Sequence, residues 1–226
     1  MKQLPLAIGA LGAGPEQSFE TFTPGANAAL LAHLAGFGPG AAPVYLWGPR
    51  GCGKTHLLHA LVRRVEAQGQ RAGWFAPDVP LPWEADEAWP LIVLDDCDAL
   101  DAARQQAAFA LLVHSLGQGS AVAAAGRLPP VDLPLREDLR TRLGWGPVFG
   151  VQPLDEPAVR ATLRREADRR GIFLSDEVMG YLLTRFERDL KHLMRQLERL
   201  DRFSLANKRA ITVPLLKQMI AEEGTP

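Results

Sequence analysis

The stretch Gly48-Pro-Arg-Gly-Cys-Gly-Lys-Thr55 decides the fold of this chain. It matches the pattern G-x-x-x-x-G-K-[ST], and it lies between a short apolar run and a segment with helical periodicity. Glycines let backbone N–H groups turn inward around phosphate, and the N-terminus of the following helix adds the positive end of its dipole. The pattern therefore predicts a phosphate-binding loop (P-loop). Lys54 would reach the β- and γ-phosphates of a nucleotide, and Thr55 would offer its hydroxyl to Mg²⁺. The cradle would be formed by three glycines, Gly48, Gly51 and Gly53.

A second motif, Leu91-Ile-Val-Leu-Asp-Asp96, predicts a partner for this loop. A buried strand delivers its last acidic residues to the carboxyl edge of a sheet, beside the phosphates. Asp95 would hold Mg²⁺ through water, and Asp96 would orient the attacking water. The alternative is a strand end with two solvated aspartates. Asp98 and Asp101 are predicted to be helix-capping or exposed residues.

Five short apolar runs, mostly separated by helical patterns, predict a parallel sheet covered on both faces. The runs are Val44–Trp47, Ala72–Phe75, Leu91–Leu94, Ala121–Ala125 and Val148–Val151. Residues 101–116 and the stretch after Thr55 carry helical periodicity. The turn-rich stretch 76–90 fits this alternation least well. Its Trp83 and Trp89 could pack locally or mark a contact surface, and the sequence does not decide between the two.

From residue 154 onward no strand pattern follows, and helix signals take over. Asp155 is a good N-cap with Pro157 just inside the helix, and Ser175 can cap a second helix. Helical patterns follow at residues 189–204 and from Thr212 to near Glu222. The predicted fold class is therefore α/β, with a five-stranded P-loop domain followed by a small all-helical domain. The predicted divisions are an arm, the α/β domain and the helical domain, at residues 1–17, 18–152 and 153–226.

The composition is that of an ordinary globular protein. Of 226 residues, 47% are hydrophobic and 23% are charged, and the formal net charge is -1. A polycation built for nucleic acid is therefore excluded, although a local basic patch is not. The two cysteines suggest neither a metal site nor a disulfide framework. The start of the chain is too short and broken in its apolar content for a signal peptide or membrane span, so a cytoplasmic location is expected.

The P-loop, the acidic motif, the five strands and the helical lid together resemble the AAA+ family of nucleotide-binding proteins. Four further stretches are similar to the bacterial replication initiator DnaA: Ser18–Phe22 ahead of the P-loop, Gly126–Pro130 (similar to a DRPP turn), Asp138–Gly146 (similar to DLxSRLxWG) and Gln152–Leu154 at the start of the lid. The resemblance covers about residues 16–222. The resemblance implies an AAA+ domain with bound ADP or ATP and Mg²⁺.

The resemblance also implies a role for Arg142, which stands at the position of an arginine finger that acts across a subunit interface. An arginine fork on a neighbour's γ-phosphate stabilises charge in the transition state. From residue type alone, a surface arginine paired with Asp138 or Glu137 is the simpler interpretation. The surrounding match favours the finger.

Two positions depart from the family pattern. Lys191 stands where the lid usually carries a second arginine that senses nucleotide, and a lysine loses the bidentate fork. Whether it replaces that arginine is left open. The fourth strand ends Ala123-Ala-Ala-Gly126, where relatives usually show a polar residue. We therefore expect hydrolysis by this chain itself to be weak.

Near the start, Gln3, Leu4, Pro5 and Leu6 resemble the short peptides that dock on the bacterial sliding clamp, the beta subunit of DNA polymerase III. An extended arm with one amide and several apolar residues suits a groove. With the AAA+ features, this resembles the Hda family of DnaA-related regulators. The resemblance implies an adaptor, nucleoid-associated through the clamp, that stimulates ATP hydrolysis by DnaA and so inhibits replication initiation.

Two alternatives come from other classes. One is a helicase loader or remodelling ATPase, although the arm is short for a helicase-binding region. The other is an origin-binding factor, in which the basic lid stretch 160–170 would touch DNA weakly. The sequence leaves open the oligomeric state, including homo-oligomers, the preference between ADP and ATP, and the chain's own rate of hydrolysis.

Overall fold

The computed structural model describes residues 17–186 and 189–222. Five parallel strands form one sheet in the order β2-β3-β4-β1-β5. The predicted α/β class with a five-stranded parallel sheet is confirmed. The strands are β1 (Val44–Trp47), β2 (Ala72–Phe75), β3 (Leu91–Leu94), β4 (Ala121–Gly126) and β5 (Val148–Gly150).

Each strand buries alternate residues on opposite faces of the sheet. Val44 and Leu46 of β1 belong to one buried cluster, whereas Tyr45 between them belongs to another. This alternation follows from the two-residue repeat of a strand. The helices that cover the two faces are α1 (Ala28–Ala35) and α2 (Lys54–Glu66) on one side, and α3 (Ala102–Gly117) and α4 (Glu137–Leu143) on the other.

The register places the carboxyl ends of the central strands at one edge. Trp47 of β1 is level with Gly126 of β4, and Leu94 of β3 is level with Ala124 of β4. The P-loop follows β1 and the paired aspartates follow β3, so both motifs meet at this edge. This is the edge where open α/β sheets bind their ligands.

The stretch between β2 and β3 is packed against the sheet. Trp83 and Trp89 are both buried, and each ring lies against the ring of Phe75 at centroid distances of 5.3 and 6.3 Å. Of the two interpretations left open by the sequence, the structure therefore favours local packing.

Four helices make up the C-terminal part: α5 (Glu156–Arg169), α6 (Asp176–Arg185), α7 (Leu190–Asn207) and α8 (Val213–Glu222). The predicted N-caps are present, because the side chains of Asp155 and Ser175 accept hydrogen bonds from the third residues beyond them. A separate cluster of buried residues draws its members from positions 159–219. We keep the division at residues 152 and 153 as a proposal. No described helix is long and apolar enough to cross a membrane.

One buried side chain near the start of the P-loop domain holds the residue that precedes this part. Asn27 is 3% exposed; its Oδ1 accepts from the backbone N–H of Gln152 at 2.8 Å and its Nδ2 donates to the carbonyl of the same residue at 2.9 Å. The Thr23 and Thr162 hydroxyls are also 3.0 Å apart. The segment ahead of α1 therefore holds the entry to the lid.

Sequence reasoning missed one helix and placed two strand ends differently. The seven residues of α4 are too few to show a periodic pattern, so only a motif was recognisable there. Strand β4 runs one residue further than predicted, to Gly126, and β5 ends one residue earlier, at Gly150.

Candidate functional site

The P-loop has the backbone of a phosphate cradle. It begins directly after β1 and ends at Gly53, the N-cap of α2. Gly53 has φ 105°, a left-handed conformation that side chains rarely adopt, and a Cβ there would meet the Phe22 ring at 2.6 Å. Glycine at this position is therefore required twice, by backbone conformation and by space. The other two predicted cradle glycines, Gly48 and Gly51, also have positive φ angles.

Lys54 is held inside the loop. The residue is only 6% exposed, and its ammonium donates to the carbonyls of Gly48 at 2.8 Å and Pro49 at 3.0 Å. A buried ammonium needs oxygen partners. These carbonyls hold the charge in the cradle, where the sequence predicts a contact with phosphate.

Thr55 and Asp95 meet across the edge of the sheet. The Thr55 hydroxyl donates to Oδ2 of Asp95 at 2.7 Å. Asp95 is 5% exposed, and burial raises the pKa of its carboxyl, while the hydrogen bond from Thr55 offsets part of the shift. The predicted pair of Mg²⁺-binding side chains is thus brought together.

Asp96 takes a different orientation from its neighbour. It is exposed and has φ 47°, and its backbone N–H donates to Oδ1 of Asp95 at 2.9 Å. The charge of Asp96 adds to the rise in the pKa of Asp95. Its predicted role in orienting water stays a prediction.

The prediction for Asp98 as a capping or exposed residue is wrong. Its side chain is 5% exposed and pairs with the Arg127 side chain, while its Oδ1 accepts from the Arg127 backbone N–H at 2.9 Å. Burial opposes ionisation of this carboxyl, but the contacts with Arg127 outweigh it, so its pKa is lowered. Arg127 is the first residue after β4. The end of β4 is therefore apolar as predicted, but an arginine follows it at once. Asp101 does cap α3, as expected.

These residues fit a Mg²⁺-nucleotide. Mg²⁺ in proteins is held by one or two side-chain oxygens together with phosphates and water, and Thr55 with Asp95 offers such oxygens beside the cradle. The described residues contain no cluster of three or more His, Cys, Asp or Glu side chains that could hold a metal by itself.

The segment Ser18–Phe22 ahead of the P-loop (the box) packs onto the loop, a contact that sequence reasoning did not predict. The Phe22 ring covers Gly53 and meets the His56 ring at a centroid distance of 5.4 Å. Nε2 of His56 lies 2.8 Å from the Ser18 carbonyl and therefore donates to it. Burial lowers the pKa of His56. His56 thus joins box and loop as a packing residue.

On the lid side, α7 begins against the P-loop. The Asp189 carboxylate accepts from the Lys191 N–H at 3.0 Å and occupies the space where a Cβ of Gly51 would lie. Lys191 is exposed. His59 of α2 stacks on Trp74 at 4.1 Å, and burial, followed by nearby charges including that of Lys191, lowers the pKa of His59 to about 4. Lys191 therefore lies near α2.

Arg142 lies in the last turn of α4, and its guanidinium carbon is 4.0 Å from the ring centroid of Trp145. No carboxylate of residues 17–186 or 189–222 forms an ion pair with it; Asp138, the partner of the simpler interpretation, is 2.7 Å from Arg136 instead. The structure thus contradicts the paired surface arginine.

The turn after Arg142 lies at the far edge of the sheet from the P-loop. A Cβ on Gly146 would collide with the carbonyl oxygen of Pro43, and the Tyr45 N–H donates to Pro147 at 3.0 Å. Pro43 precedes β1, whereas the P-loop follows it, and at about 3.3 Å per residue the four residues of β1 separate these edges by roughly 13 Å. The predicted clamp-binding residues 3–6 lie outside the described residues.

Comparisons with known proteins agree with this architecture. The model "Bacterial DnaA ATPase domain" matches residues 14–73, and the model "Hda, lid domain" matches residues 155–220. The fold is similar to domain III of the replication initiation protein DnaA from Thermotoga maritima, with TM-score 0.73 and 19% identity over 94% of this chain and 99% of that one.

Two longer proteins share the fold over part of their length. AMPPCP-bound DnaA from Aquifex aeolicus matches with TM-score 0.66 and 18% identity, covering 83% of this chain and 66% of that one. The RuvB Holliday junction branch migration motor from Thermotoga maritima gives TM-score 0.57 and 17% identity, covering 80% and 61%. The two family-model matches and the shared fold of DnaA domain III show that the chain is a DnaA/Hda-like AAA+ protein.

Proposed function

We propose that this chain is a nucleotide-bound regulator of replication initiation that acts on DnaA. It presents Arg142 to the ATP of a DnaA molecule, stimulates hydrolysis there and leaves DnaA in its inactive ADP form. The sliding clamp on DNA is the proposed recruiting partner, through residues 3–6.

The observation that carries this proposal is the position of Arg142. Its guanidinium has no carboxylate partner among the described residues, and the turn beside it lies at the opposite edge of the sheet from the chain's own P-loop. An arginine in such a place suits a phosphate of a second molecule better than one of its own. A guanidinium fork supplied in trans contributes roughly 10³ to 10⁵ in the rate of phosphoryl transfer.

The chain's own nucleotide has a structural role in this proposal. Lys54, Thr55 and Asp95 would hold ADP or ATP with Mg²⁺, which when bound neutralises phosphate charge. The apolar end of β4 supports weak hydrolysis in this site. Bound nucleotide would then fix the P-loop against the first turn of α7, where Asp189 contacts Gly51.

The test loads DnaA with labelled ATP and this chain with unlabelled ADP, and measures labelled ADP in the presence of clamp loaded on DNA. The wild-type chain should accelerate hydrolysis. Arg142→Ala should remove the acceleration, and Arg142→Lys should restore little of it because lysine lacks the fork. A matched control is Arg202→Ala, since the Arg202 side chain on α7 is 76% exposed and pairs with Glu198.

Two results would contradict the proposal: no acceleration by the wild-type chain, or equal acceleration by Arg142→Ala. Gln3→Ala separates recruitment from chemistry. It should weaken clamp binding and lower hydrolysis only at limiting chain concentration. Capture of replicative helicase without clamp would instead support the helicase loader.

A further inference from the structure

Trp145 is an unusual surface residue. Its side chain is large and apolar, yet the residue is 59% exposed, and one face of its ring carries the guanidinium of Arg142 at 4.0 Å. Five tryptophans occur in the chain, and Trp83 and Trp89 are buried. An indole left in solvent beneath an arginine therefore needs an explanation that core packing does not supply.

The backbone under this indole is fixed at several points. The Trp145 N–H donates to the Arg142 carbonyl at 3.3 Å, and the Tyr45 N–H donates to the Pro147 carbonyl at 3.0 Å. Gly146, between them, lies so close to Pro43 that no side chain fits. The ring is thus attached to a turn anchored on β1, an interior strand of the sheet.

The arginine above the ring is not fixed in the same way. It extends from the last turn of a seven-residue helix, and among the described residues no carboxylate lies within ion-pair distance. A free arginine side chain populates many rotamers, and ordering it costs conformational entropy. A guanidinium over an aromatic face is attracted by the ring quadrupole, so the stack selects the rotamers that lie over Trp145.

We propose that Trp145 is a positioning residue for Arg142. Its indole face holds the guanidinium extended from the anchored turn, so that the donors at the guanidinium edge stay free for phosphate oxygens of the partner's nucleotide. Stacking uses the face of the guanidinium and phosphate binding uses its edge, so both can be satisfied together. This inference rests on the proposed function for its partner, but the stack itself does not.

The surroundings of the stack offer a competing role for the ring. Pro130 lies against Gly144, the residue before Trp145, and both residues line a recess of about 330 Å³ together with the 76% exposed Val131. An exposed indole one residue along the chain from such a recess could serve only to bind the partner. Docking alone changes the concentration of chain needed for stimulation, whereas positioning changes the maximal stimulated rate. The two roles are therefore separable.

The first experiment uses the isolated protein and needs no partner. Acrylamide quenching of tryptophan fluorescence is compared in wild type, Trp145→Phe, Arg142→Ala and the double variant. The fluorescence that wild type has and Trp145→Phe lacks reports on the exposed indole of Trp145. Removing Arg142 should make that signal about twofold more accessible to the quencher. Unchanged quenching would show that the stack is not populated in solution and would overturn the proposal.

The second experiment measures DnaA-bound ATP hydrolysis against chain concentration. Trp145→Ala should lower the maximal stimulated rate by roughly three- to tenfold, and Trp145→Phe should retain most of it. In the Arg142→Ala background, Trp145→Ala should have no further effect on that rate. Leu205→Ala is the matched control, since Leu205 is another exposed apolar residue, at 71%, on the lid.

An unchanged maximal rate with a raised half-saturating concentration would assign the indole to docking and overturn the positioning role. Equal losses in the alanine and phenylalanine variants would also contradict it. Should the wild-type chain fail to stimulate DnaA at all, the proposed function fails, while the quenching result still decides whether Trp145 holds Arg142.

Discussion

The hydroxyl of Thr55 donates a 2.7 Å hydrogen bond to Oδ2 of Asp95, which joins the first turn of α2 to the residue after β3. The carboxylate that receives this bond is almost completely buried. Because burial raises its pKa, its ionised form destabilises the folded chain. The site therefore combines a charge that suits Mg²⁺ with a cost in stability.

Replacing Asp95 with asparagine should stabilise the protein while weakening its hold on Mg²⁺-nucleotide. A raised folded-state pKa means that the ionisation penalty is absent well below the ordinary value of 3.8, grows as pH rises through the folded pKa and is constant above it. The gain in unfolding free energy for Asp95→Asn should therefore be larger at pH 7 than at pH 4. Denaturant unfolding of both proteins at pH 4 and pH 7 measures this difference in unfolding free energy. An Asp95→Asn variant that is less stable than wild type at pH 7 would contradict the prediction.

The Lys54 ammonium should be required for nucleotide binding. It is buried in the loop and bound to two loop carbonyls, so Lys54→Ala removes the cradle's positive charge and leaves those carbonyls facing phosphate. We expect the affinity for a fluorescent ADP analogue to fall at least about tenfold, since hydrogen bonds to charged groups contribute roughly 1.5–3 kcal/mol each. Lys217→Ala, on α8 beside Tyr181, is the control. Equal affinity of Lys54→Ala and wild type would rule out this role.

The pair of Asp98 and Arg127 should give stability with the opposite pH dependence. The pKa of Asp98 is lowered, so its contribution is fully present above the ordinary value of 3.8 and is lost as pH falls through the folded pKa. Asp98→Asn should therefore be less stable than wild type at pH 7, with a smaller difference at pH 3. A difference that stays constant over this range would show that the charge plays no part.

Two glycines offer a matched pair of opposite predictions. Gly146→Ala places a methyl group against the Pro43 carbonyl and should destabilise by roughly 1–3 kcal/mol. Gly180 lies inside α6 with open space around it, so Gly180→Ala should stabilise by about 0.5–1 kcal/mol. For a chain of this length, 1 kcal/mol corresponds to a shift of roughly 2–4 °C in Tm. Thermal unfolding of both variants measures the two shifts in Tm. Shifts of the same sign would contradict one of the two predictions.

The sequence predicts the sheet well because its signals are local. Apolar runs such as Leu91–Leu94 mark buried strands directly, and caps such as Asp155 mark helix starts. The P-loop is likewise local, and its predicted position after β1 and before α2 is confirmed. The predicted roles of its residues in binding nucleotide stay predictions.

What the sequence could not give depends on distant contacts. Asp98 and Arg127 are 29 positions apart, and only the neighbouring positions of β3 and β4 in the sheet bring them together. The contact of Phe22 with Gly53 depends equally on the folded path of the chain. Arg142 and Trp145 are close in sequence, but the path of the chain between them depends on where α4 ends, and α4 was too short to predict.

The burial of both cysteines gives the unmodified chain two internal probes. Cys52 lies in the P-loop, 3.8 Å from the Lys54 ammonium, and Cys97 is fully buried after β3. Burial raises the pKa of each thiol, so both should react slowly with a disulfide reagent at neutral pH. Cys52 needs only the loop to open, whereas Cys97 needs the sheet edge to separate. In one reaction with a disulfide reagent, the rate of Cys52 modification would therefore report opening of the loop. The rate of Cys97 modification would report unfolding of the domain, and neither needs an introduced label.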